Sequence, residues 1–226
     1  MKVFGIIQAR MNSSRLPGKV LFDLHGKSVL ERMIERVSKS KELDKLIVAT
    51  TVNPKDDKIF DLCRKLDVEV FRGSEFDVLD RFVQVAEKYK IKNLVRLTSD
   101  CPMHDFRVID NVIRIYKSKK YDYVSNISKR TFPDGLDVEV FSFKSLLMAY
   151  NKTSHKLHRE HVTTYIRGGV KGLSNGDFKK YNLINPIDYS NLRWTLDDKK
   201  DYANIIEYFN KLPENFSWIQ AINLKL

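Results

Sequence analysis

Short apolar runs alternate with amphipathic stripes from residue 2 to residue 98, and that alternation restricts the chain to few folds. Residues 2–7 read as a buried strand. Val29-Leu30, Met33-Ile34 and Val37 recur at the helical period. Leu46–Thr50 reads as a second strand, and Asn53-Pro54 opens a helix whose Ile59, Leu62, Cys63 and Leu66 face inward, with Pro at a tolerated first-turn position. Val68–Phe71, a helix carrying Val78-Leu79, Phe82-Val83 and Ala86, and the strand Asn93–Thr98 complete the series. Repeated β-α-β units require a mostly parallel sheet with helices on both faces. The expected fold is therefore a three-layer α/β/α, Rossmann-like sheet. Ligands of such sheets lie at the carboxyl ends of the strands, here 8–19, 50–53, 72–74 and 99–105.

The second half is less regular. Tyr121–Ser125 and Leu136–Phe141 read as strands separated by the turn Pro133-Asp134-Gly135. Helices are expected near 143–150 and 158–167, the latter ending at Gly168-Gly169, and over 198–211. Leu192–Leu196 reads as a strand leading into Asp197-Asp198. No repeat or linker interrupts the chain, so one domain over 1–226 is expected, with a substrate-side insertion at about 121–190.

The loop after the first strand, Gln8-Ala9-Arg10-Met11-Asn12-Ser13-Ser14-Arg15-Leu16-Pro17-Gly18-Lys19, carries the most chemistry. Backbone N–H groups, hydroxyls and cations leaving a buried strand make a concave anion site. The spacing of Arg10, Arg15 and Lys19 suits a polyphosphate better than a single charge; the plain alternative is a solvated basic loop. Arg72 and Ser74, at another strand end, are candidates to approach the same nucleotide. Asp100 leaves the fourth strand beside these anion-binding groups, which makes sense if a cation lies between, and Mg2+ is the hard ion that carboxylates and phosphates share. The alternative is that Asp100 caps the helix after Pro102. Asp137 and Glu139, two apart on a strand, share one face, which is either a site or a solvent-facing edge.

The formal net charge is +11, yet the basic residues are dispersed among acids, and no aromatic–basic interleaving marks an RNA-binding sheet. The excess is expected to attract anionic substrates rather than nucleic acid. No stretch approaches the roughly 20 apolar residues of a membrane span. The sequence begins directly with a strand, and Cys63 and Cys101 do not suggest a disulfide, so a cytoplasmic protein is expected. Cys101 has no base partner in sequence and is rejected as a nucleophile.

The first loop resembles the signature of the cytidylyltransferases related to spore-coat polysaccharide biosynthesis protein F, a branch near the CMP-sialate and CMP-Kdo synthetases. That pattern runs close to Gln-Ala-Arg-Met-Gly-Ser-Thr-Arg-Leu-Pro-Gly-Lys, from which Asn12 and Ser14 depart. Asn is a residue that tolerates the left-handed backbone a Gly supplies. The resemblance spans nearly the whole chain, with its specific blocks at 8–21, 96–102 and 132–141. It implies a nucleotide-diphospho-sugar transferase-like fold and transfer of CMP from CTP to an acidic sugar or other small anionic acceptor in surface polysaccharide biosynthesis. By that resemblance Gln8, Ala9, Arg10, Met11, Asn12, Ser13 and Ser14 surround CTP, while Arg15, Lys19 and Asp100 are catalytic. Asp100 and Asp197 hold Mg2+. Asp198 stands where the family often has Thr-Pro, so either acid of the pair could be the ligand; the expectation taken here is Asp197 as ligand and Asp198 as cap of the following helix. Asp137 and Glu139 fall to the acceptor or a metal contact, and Arg159, Glu160 and His161 to the acceptor side.

Two other functional classes predict different patterns. A glycosyltransferase of the same broad fold would carry a second acid at Ser99-Asp100-Cys101, and a nucleic-acid-binding module would concentrate its basic residues. His155, His158 and His161 recur every third residue, but nothing in the spacing completes a transition-metal set. A homodimer is left open as an assembly.

Overall fold

A computed structural model describes residues 1–118, 120–168 and 170–224; Gly169, the expected end of a helix, lies outside them. The first half follows the alternation read from sequence. Strand β1 is Phe4–Gln8, helix α1 Val29–Val37, β2 Lys45–Thr51, α2 Asp57–Lys65, β3 Glu69–Gly73, α3 Val78–Lys88, β4 Asn93–Thr98 and α4 Phe106–Lys117. The second half supplies β5 Tyr123–Ser125, β6 Glu139–Ser142, α5 Phe143–Lys152, α6 Lys156–His161, α7 Thr164–Arg167, β7 Lys180–Asn182, α8 Lys199–Lys211 and α9 Trp218–Asn223.

The seven strands form one sheet in the order β3-β2-β1-β4-β6-β5-β7. β1, β2, β3 and β4 are mutually parallel, whereas β6 runs antiparallel to both β4 and β5. Successive strand residues point to opposite faces, so each strand feeds two cores. Ile7, Val48, Val95 and Leu97 join α1, α2, α4, α8 and α9 on one face. Ile6, Ile47, Ala49 and Leu94 join α3, α5 and α7 on the other. Burying each such side chain contributes about 1.5–3 kcal/mol, which makes the sheet a stiff base for its loops.

Side-chain caps set several helix starts: Ser28, Asp77, Asp105 and Ser142 accept N–H groups of α1, α3, α4 and α5. β1 pairs with β2 on one side and β4 on the other, so the strand order reverses between β1 and β4, and a crevice opens at their carboxyl ends.

Three expectations for the second half need correction. Residues 192–196 are not a strand of the sheet: a single bridge joins Arg193 to Asp134, because their partner is the turn at 134 rather than a strand. The helix expected over 158–167 is two short helices broken at Val162, whose φ is +54°. Asp137 precedes β6 and so is not on one strand face with Glu139.

Candidate active site

The first loop folds back on itself. Gly18 N–H donates to the Met11 carbonyl at 2.8 Å, and Gly18 adopts φ +75°, a conformation glycine takes without penalty. The left-handed residue of the loop is thus Gly18 and not Asn12. A 3-10 turn over Lys19–Leu21 follows and swings the Lys19 side chain inward. Buried Asp56 fixes the loop base, accepting Met11 N–H at 2.7 Å and Thr51 N–H at 3.2 Å. Glu75 accepts the side-chain amides of Asn12 at 2.7 Å and Asn53 at 2.9 Å. Met11 and Asn12 therefore moor the loop to its neighbours instead of lining the cavity it encloses.

That cavity, of about 340 Å3, lies at the ends of β1 and β4. Gln8, Ala9, Arg10, Ser13, Ser14 and Arg15 form its loop wall. Thr98, Ser99, Asp100, Lys19 and Asp197 line it as well. Lys19 Nζ donates to Asp100 Oδ2 at 3.0 Å and to Asp197 Oδ1 at 2.9 Å. Arg15 reaches the same Asp197 oxygen at 2.9 Å, and Arg193 takes Asp197 Oδ2 at 2.8 Å. Burial works against the Lys19 charge, but the two carboxylates outweigh it and hold the ammonium above its ordinary pKa. Burial likewise pushes Asp197 up, and Lys19, Arg15 and Arg193 overcome it, leaving the carboxyl below its usual range.

Both acids owe their place to backbone contacts. Asp100 does not cap a helix: Asp105 caps α4, and the Asp100 carbonyl accepts Leu196 N–H at 2.8 Å. Asp198 caps α8 in a reciprocal pair with Asp201, which leaves Asp197 to face Lys19. Trp194 N–H donates to the Asp134 carbonyl at 2.6 Å, and a Cβ on Gly135 would meet the Trp194 carbonyl carbon at 2.6 Å. The Pro133–Gly135 turn thereby delivers the segment that carries Asp197. Asp100 and Asp197 already converge on one cation, Lys19 Nζ, so the donor set suits a hard divalent ion completed by phosphate oxygens.

Two arginines that sequence reading passed over line the same cavity. Arg81 is only 1% exposed, and its Nε and Nη1 have no hydrogen-bond partner among the described residues. Burial, reinforced by Arg10, pushes its guanidinium down to about 10. Arg96 sits opposite Glu139 in the β4–β6 register, donates to Gln8 Oε1 at 3.0 Å and pairs with Glu139. Glu139 is buried and also accepts Tyr123 Oη at 2.6 Å and Thr163 Oγ1 at 2.5 Å. Burial raises its carboxyl, but Arg96 and the two hydroxyls prevail and keep it below its ordinary range. Glu139 thus orients Arg96 from behind and does not itself line the cavity.

The remaining candidates divide. Glu160 and His161 line the cavity. Burial pushes the His161 imidazole down. Arg159 instead bonds Asp77 at 2.7 Å and the Tyr150 carbonyl at 3.2 Å, fastening α6 to α3 and α5. Arg72 is spent on Asp57 and the carbonyls of Thr51 and Asn53, and the Ser74 hydroxyl accepts Asp77 N–H. Asp137 makes a two-point pair with Arg130. None of these four lines the cavity. The histidines diverge: His155 accepts an N–H at the start of α6, and buried His158 bonds Thr164 and the Ser174 carbonyl. Burial drives the Cys101 thiol far above its usual pKa.

A cytidylyltransferase family model matches residues 4–223. The chain belongs to that family. This cytidylyltransferase is 35% identical over 214 residues to the spore coat polysaccharide biosynthesis protein SpsF of Bacillus subtilis, covering 92% of this chain and 87% of that protein. A solved cytidylyltransferase from Leptospira borgpetersenii superposes with a TM-score of 0.92 at 32% identity, covering 99% of this chain and 93% of that one. A solved CMP:2-keto-3-deoxy-manno-octonic acid synthetase complexed with CTP shares the fold at a TM-score of 0.66 and 16% identity, covering 93% of this chain and 99% of the other. Arg81 and Arg96 left one trace in the sequence of the cytidylyltransferase, a charge inside an apolar pattern. Arg81 interrupts the stripe Val78, Phe82, Val85, and Arg96 interrupts Leu94, Val95, Leu97.

Proposed function

We propose that this cytidylyltransferase transfers CMP from CTP to a small anionic acceptor and releases pyrophosphate. The observation that carries the reading is the convergence of Lys19 on Asp100 and Asp197 in a cavity that Arg10 and Arg15 also line. An acceptor oxygen attacks the α-phosphorus in line, the bond to the bridging α–β oxygen breaks, and the electron pair leaves with pyrophosphate. The protein's task is positioning and charge neutralisation rather than covalent catalysis. Arg10, Arg15 and Lys19 hold the triphosphate and the charge that builds on the leaving group. Gln8, Ala9, Ser13 and Ser14 border the nucleotide, and Arg81, whose Nε and Nη1 have no partner among the described residues, offers N–H donors to it. A divalent ion, Mg2+ in this reading, would be held by Asp100 and Asp197 and supply Lewis-acid polarisation of the α-phosphate. The segment 121–190 provides the acceptor side through Glu160 and His161.

The names of relatives support a reading of the pathway. SpsF is named for spore coat polysaccharide biosynthesis, and more distant relatives are named 3-deoxy-manno-octulosonate cytidylyltransferases, one from Hydrogenovibrio crunogenus being 29% identical over 168 residues. A cytoplasmic step that activates an acidic sugar for a surface polysaccharide fits both. The test is pyrophosphate release with CTP, UTP, ATP and GTP across an acceptor panel with Mg2+. CTP should be used best, with UTP its nearest competitor, because a site whose buried polar groups pair with a small pyrimidine edge rejects purines. Asp100→Asn should lose on the order of 100-fold in kcat, since it removes one positioned charge at the reacting phosphate while keeping shape. Preference for a purine triphosphate, or a fully active Asp100→Asn, overturns the reading.

A further inference from the structure

Three polar side chains continue a sheet face that is otherwise apolar. Residues two apart on a strand share a face, so Gln8 follows Ile6, Arg96 follows Leu94, and Glu139 precedes Phe141 on the same side. Ile6, Leu94 and Phe141 belong to one core. In register, Arg96 lies between Ile6 on β1 and Glu139 on β6, and Gln8 lies one diagonal step away. The polar row thus crosses three adjacent strands and ends at the nucleotide cavity, which Arg96 and Gln8 line.

The row is locked from its far end. Glu139 is only 2% exposed and accepts hydrogen bonds from Tyr123, Thr163 and Arg96 Nη1. Arg96 Nε then donates to Gln8 Oε1 at 3.0 Å. A guanidinium carries donors only, so the amide atom that meets it has to be the oxygen. Nε2, the donor end of the amide, is left to the cavity. Stability alone does not call for this arrangement, because apolar residues of similar volume often serve a buried ion pair's place as well. What a fully bonded polar network adds is a fixed direction.

A fixed amide direction matters to one part of a nucleotide. Among the described residues that line the cavity, Gln8 is the only one with an amide side chain. Cations suit phosphates, whereas an amide suits the donor and acceptor pattern of a base edge. Cytosine and uracil have the same outline and differ at ring positions 3 and 4. N3 of cytosine is an acceptor, and N3 of uracil carries a proton. A donor held at that position pairs with the first and opposes the second, and a buried group left unpaired is what makes such selection strong.

We infer that Arg96, anchored by Glu139, is a positioning residue for base choice: it locks the Gln8 amide with Nε2 toward the nucleotide, so that Gln8 donates to N3 of cytosine and rejects uracil. The assignment rests on the nucleotidyl-transfer reading above. Calorimetry with Mg2+ and CTP, UTP or pyrophosphate tests it without an acceptor, on wild type, Gln8→Met, Gln8→Glu, Arg96→Met and Arg96→Lys. Wild type should bind CTP about tenfold or more tighter than UTP, the worth of one base contact. Gln8→Met should abolish most of that ratio while leaving pyrophosphate affinity as in wild type, since it alters no charge. Gln8→Glu still pairs with Arg96 but turns an acceptor toward the base, so it should bind UTP better than CTP. Arg96→Met frees the amide to turn over and should also lower the ratio. Arg96→Lys, which again only donates, should keep most of it. Thermal melts establish that each variant is folded, and the two Gln8 variants and Arg96→Lys decide the matter if Arg96→Met is not. A wild type indifferent between CTP and UTP, an unchanged ratio in Gln8→Met or in folded Arg96→Met, or a Gln8→Glu that still prefers CTP would overturn the inference. So would Arg96→Lys losing the ratio, or Gln8→Met weakening pyrophosphate as much as CTP. Failure of wild type to bind CTP would overturn the nucleotidyl-transfer reading instead.

Discussion

Asp197 Oδ1 accepts a 2.9 Å hydrogen bond from Lys19 Nζ across 178 residues of sequence. The same ammonium bonds Asp100, so one lysine bridges both acids that suit a divalent ion, with Arg15 and Arg193 also on Asp197. Phosphates and these carboxylates compete for Lys19, and a metal and Lys19 compete for the carboxylates. Lys19→Met should therefore have opposite effects on two ligands. CTP should bind about 10- to 100-fold more weakly, the worth of one charge-assisted hydrogen-bond set. Mn2+ alone should bind more tightly, because Asp100 loses the cation it bonds and Asp197 loses one of the three it faces. Calorimetry with each ligand, and electron paramagnetic resonance of free Mn2+, read the two effects. Weaker Mn2+ binding in the variant would sink the competition.

Arg81 should show a conflict between stability and binding. Its Nε and Nη1 are buried without partners among the described residues, and burial of an unpaired cation destabilises a fold. Arg81→Met keeps the stem that packs beside Gly73 and removes the charge. The ligand-free protein should then melt higher, while CTP affinity falls by about 10- to 100-fold with the loss of charged donors. Thermal melts with and without CTP separate the outcomes. A lower Tm with unchanged CTP affinity would assign Arg81 to the scaffold.

The parts of this molecule that sequence made legible share a physical cause. Parallel strands buried on both faces are continuous apolar runs, and the residues just past them are conspicuous because they are polar. That is why the loop at 8–19 and Asp100 are legible from sequence without their contacts. Arg81 and Arg96 stayed hidden because one charge inside an apolar stripe reads as noise until the cavity it faces exists. The break at Val162 left no signal, since a β-branched residue is the last expected at positive φ. Residues 192–196 alternate like a strand but bond the turn at Asp134 and the Asp100 carbonyl, a partnership set wholly by tertiary structure. Arg72 and Arg159, read as ligand groups, found acids and carbonyls of their own.

Gly135 has φ +111° and sits against the Trp194 backbone, so any side chain there meets both strain and collision. Gly135→Ala should destabilise by about 3 kcal/mol, or roughly 6–12 °C in Tm for a chain of this length. Displacement of Trp194–Asp197 should also lower CTP turnover by more than the unfolded fraction explains. Gly26→Ala is the control: φ is +80° but nothing lies within 4 Å of the added Cβ, so only the strain of about 1 kcal/mol applies. Equal effects at the two positions would remove the collision from the account.

His104 gives the fold a pH limit. It is completely buried with neither ring nitrogen partnered among the described residues, and burial pushes its pKa down to about 4, with Arg36 adding to it against the opposing pull of Asp137, Asp100 and Asp105. In the unfolded chain the same imidazole titrates near its ordinary value of 6.5. Between these values the unfolded state takes up a proton that the folded state refuses, so stability falls as pH drops from about 6.5 toward 4. The full loss from this residue is roughly 3 kcal/mol at pH 4, with none above pH 7. Urea unfolding of wild type and His104→Gln, measured from pH 7.5 to 4.5, isolates the effect as a difference in slope. The variant should lose less stability over that interval, because its side chain does not titrate. Parallel curves for the two proteins would mean that His104 is protonated, or reaches solvent, in the folded state.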